Sequence, residues 1–387
     1  MNPSELEILL LPEVRQAIEK NLGRDPLAVA LDKGVPHARE VATQIKYLER
    51  ARHKLPSLYE ARCIIPARAF EQSSSEETAA AKHIGGGKLL ELTCGLGIDA
   101  LALSRRFERV VTLERDEVLA EVVRENMRRM GVENVEVITC SAEEYLSSCS
   151  EQFDWIYADP DRRAEDGRRV VRLEECSPNM VELLPLLRKV GAGLVVKLSP
   201  LFDIDEAWRI FGDSMVEVVS LGGECKEVMV YADGRESAVA AVAVGRGRFE
   251  VARSQVARSQ VVSAVPPEEF CAEKYRYLVI PDVAVQKARL VATMLAGKAD
   301  VWGENSFALA EQMPEGIVGR VERIASIEPF DAKSLKRRLK GVGVDVIMRD
   351  FPMGADELRR RCSMRAGSQC RLALGRFGEK YYTIFLE

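Results

Sequence analysis

Two carboxylates and two glycines share nine residues in the run ELTCGLGID, residues 91–99. The run follows an apolar stretch and opens a helical pattern. Gly95 and Gly97 let the backbone turn tightly and approach a ligand closely, with Thr93 and Cys94 in the same loop. In a dinucleotide fingerprint a third glycine would stand where Asp99 stands, and two acids beside a pyrophosphate are repulsive. Glu91 and Asp99 attract a cation instead, although Asp99 can equally be read as a helix N-cap. Glu114 closes the next apolar run, 19 residues after Gly95, the spacing at which an acid reaches ribose hydroxyls. Arg115 follows it. A ligand with a ribose and positive charge but no phosphate describes S-adenosylmethionine (SAM), which carries an ammonium and a sulfonium.

A second constellation is DPDRR, residues 159–163, after the fourth apolar run. In open α/β sheets ligands bind outside the carboxyl ends of the strands. Pro160 stiffens the turn and removes a donor, which leaves backbone carbonyls to accept from an amine. Methyl transfer from a sulfonium is an in-line displacement whose main demands are positioning and desolvation. Asp159 and the Pro160 carbonyl could hold an exocyclic base amine, and Asp161 could take its proton. Arg162 and Arg163 could grip a phosphate. The plainer reading of DPDRR is a polar turn with a salt bridge. GLVVKLSP puts Lys197 and Ser199 at the end of the fifth run, where Lys197 is a substrate-side candidate or simply solvated.

The elements that must position these residues emerge from periodicity. Residues 1–80 read as helices, with Ser4 as a cap, Leu6, Leu9, Leu10 and Val14 at helical spacing, and a second stretch near 38–55. From residue 88 strands at 88–93, 109–114, 135–140, 153–159 and 193–199 alternate with helices near 99–106, 116–130, 142–148, 178–189 and 204–212. That alternation predicts a parallel sheet covered on both faces. Residues 216–221, 227–232 and 238–244 then read as strands with no helix between them, and Ala232-Asp233-Gly234 is a hairpin signal. Three runs compete there for two strand positions. The expected fold is a Rossmann-like α/β sheet of seven strands ending in an antiparallel hairpin. VARSQVARSQ, residues 251–260, is a short tandem duplication, and Pro266-Pro267 marks a linker. Residues 270–387 form a further α+β unit. The expected domains are 1–80, 81–265 and 270–387.

Composition narrows the class. The 387 residues are 47% hydrophobic and 30% charged with net charge −5, as in globular proteins. Residues 331–387 hold 13 Lys and Arg against 7 Asp and Glu, a net of +6 that suits nucleic acid or merely a solvated surface. Nine cysteines form no CxxC pair, and the three histidines do not cluster with them, so neither a disulfide framework nor a metal site is expected. The N-terminus lacks a signal-peptide pattern and no run approaches a membrane span, so the chain reads as cytoplasmic.

With these residues assembled, the chain resembles class I SAM-dependent methyltransferases, and more narrowly bacterial ones with a C-terminal THUMP-like domain. The matching pieces are EQSSSEETAAAK (71–82), ELTCGLGID, ADPDRR, VVKLSPLFDID and RDFPMGADELRRR. The resemblance covers roughly residues 60–387. It implies that the stretch before the first strand folds over the methionine end of SAM, through Gln72 and Ser73, although the stretch can equally be read as a loop and helix cap, Ser74 or Ser75 to Glu77 or Thr78. It also implies an adenine contact at Ser141, Ala142 and Glu143, although Glu143 can equally be a first-turn helix acid. The C-terminal region is then ferredoxin-like and THUMP-like and binds RNA. There Lys336, Arg337, Arg338 and Lys340, with Arg359, Arg360 and Arg361, supply phosphate contacts. Related RNA guanine-N2 methyltransferases place DPP and an aromatic where this chain has Asp159-Pro160-Asp161-Arg162. The expected activity is methylation of an exocyclic base nitrogen in tRNA or rRNA. The alternatives are an RNA-binding or assembly factor without catalysis, and a methyltransferase for a small molecule or protein.

Overall fold

In the computed structural model residues 1–161, 172–256, 270–302 and 306–387 are described. They form two compact units, Met1–Ser214 with Val228–Arg235, and Met215–Glu227 with Glu236–Glu387.

The first unit begins with helices α1 (Pro3–Leu10), α2 (Pro12–Asn21), α3 (Pro26–Ala30), α4 (Ala38–Lys54), α5 (Pro56–Glu60), α6 (Ala67–Gln72) and α7 (Glu76–Ala80). Four of them open on proline, whose fixed φ suits the first turn and whose missing N–H is no loss there. Asn2, rather than Ser4, caps α1 in a reciprocal box with Glu5. On α4, Val41, Ala42, Ile45, Leu48 and Ala51 are buried, the apolar stripe of an amphipathic helix.

The segment Cys63–Ile65 is held between this helical layer and a later helix, α9 (Glu117–Arg129). The Gln44 side chain accepts from Ile65 N at 2.9 Å and donates to Ile65 O at 3.2 Å. Asn126 of α9 does the same for Ile64, at 2.8 and 2.9 Å. Two buried amides thus satisfy the backbone of a segment that belongs to no helix or sheet, as buried peptide groups require.

Strands and helices then alternate: β1 (Gly86–Glu91), α8 (Ile98–Ser104), β2 (Phe107–Glu114), α9, β3 (Val135–Thr139), α10 (Ala142–Ser148), β4 (Phe153–Ala158), α11 (Met180–Val190), β5 (Gly191–Leu198) and α12 (Ile204–Phe211). The order β3-β2-β1-β4-β5 is parallel throughout. Leu89, Leu90, Val110, Val111, Ile156 and Val195 are wholly buried, which is why these strands read as continuous apolar runs rather than alternating ones.

All three competing runs prove to be strands: β6 (Met215–Leu221), β7 (Glu224–Ala232) and β8 (Ala238–Ala243), followed by β9 (Gly247–Ala252). Strand β7 pairs antiparallel with β5, as the methyltransferase arrangement requires. The expected hairpin at 232–234 is corrected, because β8 pairs in parallel with β6 and antiparallel with β9. The tight turn lies instead at Gly222 and Gly223, both at positive φ, between β6 and β7.

The second unit continues with β10 (Tyr277–Pro281), α13 (Val283–Lys287), α14 (Val291–Leu295), β11 (Asp300–Val301), β12 (Ala308–Ala310), β13 (Gly319–Pro329), α15 (Ala332–Leu339), β14 (Gly343–Met348), α16 (Ala355–Cys362), β15 (Arg365–Ala366), β16 (Cys370–Phe377) and β17 (Lys380–Leu386). Its eight-stranded sheet runs β11-β12-β10-β13-β17-β16-β14-β15. Leu335 and Leu339 of α15 and Leu358 and Cys362 of α16 pack with Val344, Leu372 and Leu374 of the sheet. Of the tandem duplication, residues 251–256 are described, as the end of β9 and a short turn, while the rest and Pro266-Pro267 lie outside the described residues. Among the described residues no helix is long and apolar enough to cross a membrane.

Candidate active site

The turn from β1 into α8 is built as its glycines suggest. Gly95 (φ 55°) and Gly97 (φ 77°) are left-handed, and Gly97 is the N-cap of α8. Asp99 is therefore a first-turn residue and not the cap. A Cβ on Gly97 would stand 2.8 Å from Val123 Cγ1 and 3.1 Å from Met127 Cε. We expect Gly97→Ala to lower stability by about 1–3 kcal/mol through this collision and the strained φ. The check is a urea denaturation midpoint at constant slope.

Gly95 N donates to Glu114 Oε2 at 2.9 Å, and Asp116 N donates to Glu114 Oε1 at 3.0 Å. Burial nevertheless pushes the Glu114 carboxyl above its ordinary value. The acid at the end of β2 is thus locked against the loop. A Cβ at Gly95 would meet nothing within 4 Å, so there is room beside this loop for a ligand.

The two acids that suggested a cationic ligand behave differently from each other. Glu91 is fully buried. It accepts from Thr112 Oγ1 at 2.5 Å through Oε2, while Oε1 is buried without a partner. Desolvation, with Asp99's charge adding to it, pushes its carboxyl well above the usual range. A raised carboxyl pKa binds its proton more tightly folded than unfolded, so its contribution is fully present below the unfolded value and is lost as pH rises. Glu91→Gln is expected to flatten the decline of stability on the alkaline side of that value, read as thermal midpoints between about pH 5 and 9. An unchanged pH profile would show that Glu91 is not the titrating group.

Asp99 is buried as well, but Lys82 Nζ lies 2.6 Å from its Oδ1. Tyr157 Oη and Ser74 Oγ donate to its Oδ2 at 2.9 and 3.2 Å. Burial would raise its pKa; the charges of Lys82 and Lys197 outweigh that and hold it at about 2. Its charge is therefore answered within the protein. This shifts the case for a cationic ligand from Asp99 toward Glu91 and its orphaned oxygen.

At the end of β4, Asp159 N donates to Thr93 Oγ1 at 2.7 Å, and Asp159 Oδ2 accepts from Lys197 Nζ at 2.5 Å. Lys197 Nζ also donates to Ser74 Oγ at 2.9 Å. Pro160 is buried, and Asp161 exchanges both backbone hydrogen bonds with Ser177. Arg115 Nη1 donates to Ser177 Oγ at 3.1 Å. The loop after β1, the end of β4 and the end of β5 thus meet through Thr93, Asp159, Lys197 and Ser74. Arg162 and Arg163 lie outside the described residues.

Other expected residues are placed as follows. Gln72 is exposed at the end of α6, and Ser73 Oγ donates to Phe70 O. Ser74, two positions on from Gln72, is the residue that reaches the network, while Ser75 caps α7. Ser141 caps α10 in a box with Glu144, Ala142 is buried and Glu143 is an exposed first-turn acid. In the second unit Arg337 and Arg360 are exposed. Arg338 pairs with Glu328 at 2.7 Å and lies over Phe385, and Arg359 pairs with Asp356 at 2.8 Å. Lys82, Tyr157 and Thr112 were not singled out from the sequence, and Ser74 stood there only as a candidate helix cap, the role that Ser75 takes. Only Lys82 left a signal, as a lone cation closing the apolar end of a helix. Among the described residues no group of three or more His, Cys, Asp or Glu could hold a metal ion.

Residues 74–176 match a family model described as conserved hypothetical protein 95, and residues 319–383 match one described as THUMP domain-like. An uncharacterized SAM-dependent methyltransferase of Mycobacterium tuberculosis is 24% identical over 320 residues, covering 80% of this chain and 84% of that protein. Ribosomal RNA small subunit methyltransferase J of Coxiella burnetii is 32% identical over 126 residues, 28% of this chain and 49% of that protein. A methyltransferase structure from Porphyromonas gingivalis W83 superposes with TM-score 0.83 at 24% identity, over 100% of this chain and 99% of that one. The chain is thus a relative of the SAM-dependent methyltransferases and carries a THUMP-like domain toward its C-terminal end.

Proposed function

We propose that the protein transfers the methyl group of SAM to an exocyclic base nitrogen in tRNA or rRNA. The observation that carries the acceptor side is the fixing of Asp159. Its backbone N–H is tied to Thr93 and one carboxylate oxygen to Lys197. Among the described residues its other oxygen, Oδ1, is not engaged. That oxygen and the Pro160 carbonyl accept from the incoming amine and aim its lone pair, which is the positioning such a displacement needs. Asp161 accepts the proton the amine loses, and Arg162, Arg163 and Lys197 serve the nucleic acid.

The residues that would hold SAM fit its chemistry. The partnerless oxygen of Glu91 suits an ammonium donor, the open side of Gly95 leaves space, and Glu114 stands at the ribose position. Thr93, Cys94, Gly97, Asp99 and Arg115 complete that cradle, with Ser141, Ala142 and Glu143 at the adenine end. Gln72 and Ser73 belong to the covering segment, to which Ser74 is now added. When bound, SAM supplies an electrophilic methyl group.

We assign residues 1–80 to a helical region, 81–265 to the transferase and 270–387 to a ferredoxin-like and THUMP-like RNA-binding region with Arg337, Arg338, Arg359 and Arg360 as contacts. Cytoplasmic RNA is the proposed substrate. The test combines calorimetry with SAM, S-adenosylhomocysteine and NAD with tritiated methyl incorporation into total RNA from cells lacking the protein. Binding of NAD without SAM would overturn the cofactor reading. Labelled protein or small molecule with unlabelled RNA would overturn the acceptor.

A further inference from the structure

The basic residues of the N-terminal helical layer have no part in the transfer chemistry, and they are not scattered. Residues 38–72 hold seven Lys and Arg against four Glu, a net of +3 in a chain of net −5. On α4 the spacing 39, 46, 50, 54 puts Arg39, Lys46, Arg50 and Lys54 along one side of the helix, away from the buried stripe that ends at Ala51.

Three of these cations are ordered against aromatic rings. Lys46 Nζ lies 5.6 Å from the Tyr47 ring centre, and the Arg50 guanidinium lies 5.3 Å from Tyr47 and 5.0 Å from Phe70. Lys54 Nζ is 4.8 Å from the Phe70 ring and donates to Phe70 O at 2.8 Å. Glu71 is the acid that pairs with Arg50, at 2.5 Å. Both partners are half-exposed, and a surface pair of that kind exchanges readily for another anion. Tyr47 and Phe70 meet edge to face at 5.6 Å, and Tyr47 remains partly exposed.

This face leads to the reaction centre along the chain. Phe70 is followed four residues later by Ser74, which bonds both Asp99 and the Lys197 that holds Asp159. Cations preset over aromatic rings beside an accessible ring are what a single-stranded nucleic acid uses, with phosphates on the cations and a base on the ring. We infer that the Lys46-Arg50-Lys54 face of α4, with Tyr47, binds the phosphodiester backbone of single-stranded RNA flanking the target base and feeds it past Ser74 to Asp159. The inference rests on the proposed RNA substrate and adds to it a surface in the first unit, separate from the THUMP-like domain.

The test uses the full chain, a fluorescein-labelled oligouridylate of about 20 nucleotides followed by anisotropy across about 50–200 mM KCl, and SAM calorimetry in parallel. Lys46→Gln/Arg50→Gln/Lys54→Gln is expected to weaken RNA binding about 10- to 100-fold and to lower the log–log salt slope by about 2, since each phosphate contact on a single strand contributes about 0.7. SAM affinity stays as in the wild type. Arg15→Gln/Lys20→Gln/Lys33→Gln removes the same charge from other positions in the layer and leaves the slope unchanged. Lys46→Gln alone, at the most lightly held of the three cations, lowers the slope by about 0.7 and covers the case of a triple variant that fails to fold. An unchanged slope in the α4 variants, or equal losses in both triples, overturns the inference while leaving the RNA substrate standing. A wild-type protein that binds SAM but no RNA overturns both.

Discussion

Asp159→Asn is expected to lower kcat for methyl transfer by about 10²-fold or more while leaving SAM affinity unchanged. The replacement keeps the size of the side chain but removes its charge, so Lys197 Nζ loses the carboxylate it holds at 2.5 Å. The amide then offers N–H where the amine acceptor requires a lone pair. Thr93 still anchors the backbone N–H of residue 159, so the strand end stays in place and the loss falls on acceptor alignment. Misplacing a reacting atom by about 1 Å costs on the order of 10²-fold. Single-turnover transfer to RNA and calorimetry with SAM separate the two effects. If SAM binding falls together with rate, Asp159 is a cofactor ligand. If the rate holds, the acceptor is positioned elsewhere.

Lys82→Met should destabilise the first unit by about 3–5 kcal/mol, the usual result of removing one partner of a buried ion pair. Lys82 is 1% exposed and Asp99 10%, so the abandoned carboxylate has little water to turn to. Tyr157 and Ser74 still donate to it but carry no charge, and of the two lysines that hold it ionised only Lys197 remains, itself paired with Asp159. The double variant Lys82→Met/Asp99→Asn should recover most of the loss, because the uncompensated charge is gone. The pH dependence comes from the depressed carboxyl. With the folded value at about 2, the wild-type pair contributes fully above the unfolded value near about 4. That contribution is lost as pH falls through about 2. Urea midpoints at about pH 7 and about pH 4 should therefore show a larger gap between wild type and Lys82→Met at the higher pH. Equal gaps at both values, or a double variant no better than the single, would mean that Lys82 acts through packing alone.

The order of strands and helices from β1 to α12 was legible because both faces of the sheet are covered. The inner strands β1, β2, β4 and β5 then carry continuous apolar runs, while the edge strand β3 alternates, and each helix reads as an amphipathic one. The place of Glu114 at the end of β2 was legible for a related reason, since two adjacent parallel strands and one helix fix the separation of their ends, whereas its hydrogen bond from Gly95 N appears only in the fold. The Lys82–Asp99 pair was not. Its members stand 17 positions apart with a strand between them, and a lysine after Ala-Ala-Ala looks in sequence like a solvated helix end. The serine run hid its bridging member in the same way. Ser73, Ser74 and Ser75 are identical in type, and only the fold makes the first a C-terminal cap, the second a bridge and the third an N-terminal cap. The turn at 232–234 misled because its local chemistry suits a hairpin. The pairing of β8 with β6 is decided by contacts that no five-residue window contains.

The Gln44 and Asn126 amides that read the backbone of Ile64 and Ile65 bear on how such a protein can be divided. One amide comes from the helical layer and the other from α9 beside the sheet, and each pairs both polar groups of a single residue. Removing the chain up to and including this segment would strip Asn126 of two buried partners and open the flank of α9 to water. The layer therefore behaves as the outer wall of the transferase rather than as an appendage. Shuffling the catalytic sheet onto another N-terminal partner would have to carry residues 63–65 and a side chain equivalent to Gln44 with it.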